Sequence, residues 1–290
     1  MLKTAYFPIY TEVNRNPIAI CTKLPAEVFD YPFFNDGVSL VRPKNSNSKR
    51  VDFSCEPNSQ NQNSLKLKGF IFHTSHCGST LLANMFGVSK KTRIVSETEA
   101  INGLLLSAVF YNLEESVLLK SLKTVIAAYL QPLGEAEQVI FKLSSWNGFF
   151  VSLFHKAYPE LPWIFIDRKT EDVVQSLLKS GRGFADWFYH PTTVLQNYFL
   201  GEKVQTESFE NYLSAMVEAH KKCAEKACFG KKIVVEYPSF LNEFENIILP
   251  HFNLNYSKAE LQAAEEIKKY DSKSFQKTPF KSIGIKFDIH

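Results

Sequence analysis

Residues 70–86, FIFHTSHCGSTLLANMF, carry the most information in the chain. A short apolar run ending at His73 leads into a tight polar turn centred on Gly78. Ser79 and Thr80 then open a segment whose apolar residues begin at once, which predicts a helix. A strand, a compact turn and a helix start bring backbone N–H groups and two hydroxyls to the positive end of a helix dipole. That arrangement binds phosphate or sulfate oxygens. The triphosphate-binding pattern GxxxxGK[ST] would need Gly at position 73 and Lys at 79, and the chain has His73 and Ser79. The missing lysine argues against triphosphate chemistry.

Outward from this turn, short apolar runs alternate with helical periodicity. GFIFH at 69–73, RIVS at 93–96, QVIFKL at 138–143, WIFID at 163–167 and KIVVE at 232–236 read as five strands. Helices are predicted over 99–111, 114–130, 148–157, 170–180, 208–228, 239–248 and 257–269. The alternation predicts an α/β fold with a mostly parallel central sheet flanked by helices. In such sheets ligands bind at the carboxyl ends of the strands. The first 43 residues mix aromatic and proline-containing segments without a helical period. Residues 44–64, rich in Asn, Ser and Gln, read as a polar loop with a short strand near 51–54. The expected division is an extension over 1–64 and the main domain over 65–290.

A net charge of +3 is too small to argue for nucleic acid or an anionic membrane as partner. No run of 18 apolar residues suggests a membrane span, and the start of the chain lacks the apolar stretch of a secretory signal. The five cysteines, Cys21, Cys55, Cys77, Cys223 and Cys228, form no CxxC pair. Neither a zinc site nor a disulfide framework is expected, and a reducing, cytoplasmic setting fits best.

His76-Cys77-Gly78-Ser79-Thr80-Leu81-Leu82 resembles the 5′-phosphosulfate loop, (K/R)-S-G-(T/S)-T-x-L, of the sulfotransferases. That family draws its sulfuryl group from 3′-phosphoadenosine 5′-phosphosulfate (PAPS). The chain departs from the pattern at His76 and Cys77. WIFIDRKTEDVVQSLLKS, residues 163–180, resembles the family's second motif, a strand, an Arg and a Ser eight residues on; Arg168 and Ser176 match it. The resemblance spans about residues 68–250 and implies a P-loop-like domain of sulfotransferase type. It assigns Cys77, Gly78, Ser79 and Thr80 to the 5′-phosphosulfate, and Arg168 and Ser176 to the 3′-phosphate. Glu97, with Glu99 as rival, is then the expected general base. His76 is expected at the sulfuryl group if protonated. No metal is implied.

The expected function is therefore sulfuryl transfer from PAPS to a hydroxyl or amine acceptor: a small molecule, a glycan or a peptide. Two alternatives stand beside it. A divergent P-loop kinase or hydrolase would use Asp167 to position magnesium. A non-catalytic descendant would keep only the fold.

Overall fold

A side chain on a buried strand must meet apolar surface whichever way it points, so runs such as FIFH and WIFID belong between two layers. In the computed structural model, which describes residues 4–43, 47–52, 64–180, 183–201 and 208–274, these runs form the centre of the molecule. Five strands, β4 (Lys66–His73), β5 (Thr92–Ser96), β6 (Gln138–Lys142), β7 (Pro162–Asp167) and β8 (Lys231–Glu236), make one parallel sheet in the order β5-β6-β4-β7-β8. One face presents Ile71, Ile94, Ile140, Ile164 and Ile166. It is covered by α2 (Ser79–Gly87), the helical stretch α9 (Phe240–Glu243) to α10 (Leu249–His251), and α11 (Lys258–Ile267). The other face presents Phe70, Phe72, Val139, Phe141, Trp163 and Phe165. It packs against α3 (Glu99–Tyr111), α4 (Glu115–Tyr129), α5 (Val151–Ala157) and α8 (Phe209–Lys226), with α6 (Thr170–Ser180) lying on α8. Each fully buried Phe in this layer contributes roughly 1.5–3 kcal/mol of transfer free energy.

The N-terminal residues build a second, antiparallel sheet from β1 (Ala5–Glu12), β2 (Ile18–Leu24) and β3 (Ser48–Asp52), in the order β1-β2-β3. The strand expected near 51–54 is thus found at Ser48–Asp52, and residues 53–63 lie outside the described ones. A short helix, α1 (Phe34–Val41), follows the second strand. This sheet shares the main core. Phe7 stacks on Tyr129 of α4, and Thr11 Oγ1 donates to the carbonyl of Ala100 in α3. Gly103 makes the approach possible, because a Cβ there would stand 2.1 Å from the Thr11 carbonyl oxygen. Residues 194–200 form α7. No helix formed by the described residues is long and apolar enough to cross a membrane.

Arg93 ties the edge of the sheet to the end of α4. Its guanidinium donates to the carbonyls of Tyr129 (2.7 Å), Gln131 (2.8 Å) and Leu133 (2.9 Å) and lies over the Phe29 ring. Burial pulls its pKa down to about 10, so it stays charged at neutral pH. Tyr129 closes α4, and Gln131 and Leu133 follow it, so one guanidinium supplies donors to the helix end and to the chain leaving it. Arg93→Met is expected to destabilise the protein by about 3 kcal/mol, read as a lower urea midpoint with an unchanged m-value.

Candidate active site

The turn between β4 and α2 meets residues from the carboxyl ends of three neighbouring strands, Lys142 of β6, Arg168 after β7 and Tyr237 after β8. In that turn Ser75 (φ 83°), His76 (φ 47°) and Gly78 (φ 79°) are left-handed. Such alternation turns successive N–H groups toward one concave side. The first intrahelical bond of α2 runs from Leu82 N to Gly78 O (3.0 Å), so the N–H groups before it lie outside the helical ladder. His73 braces the start of the turn. Its Nδ1 accepts from Ser75 N–H (3.1 Å), which puts the ring proton on Nε2, donating to Leu143 O (2.9 Å). Burial, and then the nearby Lys142, hold its pKa well below the ordinary histidine value, so the ring is neutral. Cys77 is fully buried and burial pushes its thiol up to about 11, which leaves it a packing residue in the protonated form.

Two groups of side chains meet this turn. The first surrounds Thr80 at the start of α2. Lys142, the last residue of β6 and only 1% exposed, donates from Nζ to Thr80 Oγ1 (3.2 Å) and forms an ion pair with Glu97. Its ammonium also lies 4.9 Å from the centre of the Phe33 ring, delivered by the N-terminal segment. Glu97 follows β5 in a left-handed conformation (φ 49°), with its N–H bonded to Lys142 O (2.8 Å). A non-glycine residue held there stores strain that the surroundings must sustain. Glu99 opens α3, where Asn102 donates to it; burial raises its pKa, the Asn102 bond acts the other way, and repulsion from the nearby Glu97 adds to the rise.

The second group comes from β7 and α6. Arg168 Nη1 donates to the carbonyl of His76 (2.7 Å), and the guanidinium stacks over Tyr237, which follows β8. Ser176 Oγ lies 2.6 Å from His76 Nδ1, and Ser180 Oγ lies 3.3 Å from His76 Nε2. Asp167 accepts from the Arg168 N–H (2.7 Å) and pairs with Lys221 of α8 (3.1 Å). Of the residues singled out in the sequence, the structure therefore links Glu97 to Thr80 through Lys142, and Arg168 to Ser176 through His76. Among the described residues no group of three or more His, Cys, Asp or Glu side chains gathers as a metal site would need.

No protein-family model and no curated protein matches the chain. Among solved structures it is similar to a sulfotransferase from Alicyclobacillus acidocaldarius, at 12% identity and TM-score 0.40, over 66% of this chain and 82% of that one. It is also similar to the sulfotransferase domain of the Synechococcus PCC 7002 olefin synthase, at 14% identity and TM-score 0.42, over 78% and 85% of the two chains. A third is the sulfotransferase domain from the curacin biosynthetic pathway, at 12% identity and TM-score 0.42, over 72% and 80%. All three neighbours are sulfotransferases.

Sequence reasoning passed over Lys142 and Phe33. The lysine had one signal: a cation as the last residue of an apolar strand, QVIFK, just before the polar Ser144-Ser145 turn. A strand end in a parallel sheet is a ligand position, and a lysine there is buried only where something compensates its charge. Phe33 left no such trace, because its ring reaches Lys142 across more than a hundred residues of chain.

Proposed function

We propose that this chain transfers a sulfuryl group from PAPS to a hydroxyl or amine acceptor. The observation that supports it most is the ammonium of Lys142 at the N-terminus of α2, 3.2 Å from Thr80 Oγ1. A cation beside the positive end of a helix is unfavourable unless an anion joins them. Glu97 supplies one negative charge, and a bound oxyanion would supply the rest. Lys142 thus takes the role left open by the missing loop cation. The guanidinium of Arg168, whose Nε is buried without a hydrogen-bond partner among the described residues, offers a second anion a planar donor edge. In this reading the acceptor oxygen or nitrogen forms a bond to sulfur as the bond from sulfur to the 5′-phosphate oxygen breaks. Glu97 takes the acceptor proton. The N–H groups of Cys77–Thr80, the hydroxyls of Ser79 and Thr80, and Lys142 meet the charge on the departing phosphate.

Arg168→Ala tests the reading through binding of adenosine 3′,5′-bisphosphate without magnesium. The expected loss is roughly 2 kcal/mol, about 30-fold in affinity, with the 5′-monophosphate much less affected. Equal affinity of the variant and wild type would overturn the assignment. Binding that needed magnesium, and ATP rather than the bisphosphate, would favour the kinase alternative.

A further inference from the structure

Arg168, two residues before α6, and Asp172, Ser176 and Ser180 within it recur at four-residue spacing, which sets them along one side of the helix. His76 is held there at three points: its carbonyl by Arg168, its Nδ1 by Ser176 and its Nε2 by Ser180. We infer that His76 is a positioning residue of the second anion site, and that taking up a proton on its ring frees the hydroxyl protons of Ser176 and Ser180 for a phosphate. The inference rests on the function proposed above and assigns His76 to the 3′-phosphate end rather than to the sulfuryl group.

A neutral imidazole has one N–H and one lone pair, and a serine hydroxyl has one proton. With the ring neutral, one of the two serines must spend its proton on the ring, and only the other can donate to a ligand. With the ring protonated, both nitrogens donate to the serine oxygens, and both hydroxyl protons turn outward. The anion gains a donor and a nearby positive charge together. The charged and titratable groups around this corner include His73, on which both His76 and Lys142 act, and Glu97, whose Oε1 lies 3.9 Å from His73 Nε2. Asp172 Oδ2 lies 3.8 Å from Arg168 Nε, Asp167 is paired with Lys221, Tyr237 lies under the guanidinium, and His73 at the end of β4 is neutral. The sign follows: a ligand that favours the protonated ring binds more tightly as pH falls.

The test is calorimetric titration of the full chain with adenosine 3′,5′-bisphosphate and with adenosine 5′-monophosphate, between pH 6 and 8, in buffers of different ionisation enthalpy. His76→Asn is the first variant, because Asn tolerates the left-handed backbone at that position. The second is Ser180→Ala, at an exposed position. The phosphate's own titration near pH 6 is common to every protein compared. Wild type is expected to take up more protons per bisphosphate than His76→Asn, and to gain about tenfold more affinity on going from pH 8 to 6. Ser180→Ala is expected to fall between them, and the monophosphate to show no dependence on His76. Equal proton uptake by wild type and His76→Asn, with binding intact, overturns this inference alone. A dependence of the same size with the monophosphate overturns it by moving His76 to the 5′ end. Absence of bisphosphate binding by wild type at every pH overturns the proposed function, and this inference with it.

Discussion

Glu97→Gln is expected to lower turnover of PAPS by about 10²–10⁴-fold, the usual worth of a positioned base, while leaving bisphosphate affinity unchanged or tighter. The second half follows from the ion pair. Glu97 and a bound oxyanion compete for the Lys142 ammonium, so removing the carboxylate charge releases the cation to the ligand. Lys142→Met should also cut turnover, by about 10²–10³-fold, but it should weaken bisphosphate binding. Opposite signs in binding with a common loss in rate separate a base from an anion ligand. A residue that only shaped the fold would move both quantities the same way. Because the two side chains touch, their effects are not independent, and the double variant should lose less than the product of the single losses. Release of adenosine 3′,5′-bisphosphate from PAPS, with a phenolic surrogate acceptor, supplies the rate. Wild-type turnover by Glu97→Gln would remove Glu97 from the mechanism. Lys142→Met should fold, since an apolar chain of similar length replaces a buried ion and Glu97, 26% exposed as a side chain, can be hydrated.

Gly78→Ala is expected to abolish measurable bisphosphate binding and to destabilise the protein by about 1–3 kcal/mol. Two costs add. The backbone at φ 79° is one that residues with a Cβ adopt only under strain. The new Cβ would also stand 2.6 Å from Cδ2 and 2.9 Å from Cε2 of Tyr237. That ring cannot move freely, because the Arg168 guanidinium rests on its face. A shift of the ring carries Arg168 with it, and Arg168 holds the His76 carbonyl. One methyl group therefore disturbs the turn and the second anion site together. Calorimetry with the bisphosphate and urea unfolding of the same sample check both halves. Retained affinity in a variant of lowered stability would show that the turn does not contact the ligand.

The parallel sheet and most helix limits are legible in the order of residues, because they depend on neighbours a few positions away. Runs such as FIFH and WIFID are apolar on both sides and have no stable place except between layers. Helices α3 and α6 form over the expected residues, Glu99–Tyr111 and Thr170–Ser180, and α4 over Glu115–Tyr129, where the apolar spacing of Leu118, Leu122, Val125 and Ile126 gives one buried face. The turn around Gly78 could be read for a similar reason: the residue most tolerant of a left-handed backbone precedes two hydroxyls and an apolar helix.

The strand order, the N-terminal sheet and the pairing of the site's charges arise from contacts between distant parts of the chain. β1 hid from pattern reading because its pairing with β2 slips between Pro8 and Tyr10, which breaks the alternation a strand would show. Lys142 meets Glu97 and Thr80 across separations of 45 and 62 residues, and His76 meets Ser176 across 100. Those meetings exist because β4 and β5 both lie beside β6, and because β7 lies on the far side of β4. A residue's type records which chemistry it can perform. Which charge stands opposite it is set by long-range packing, which leaves no local signature in the chain.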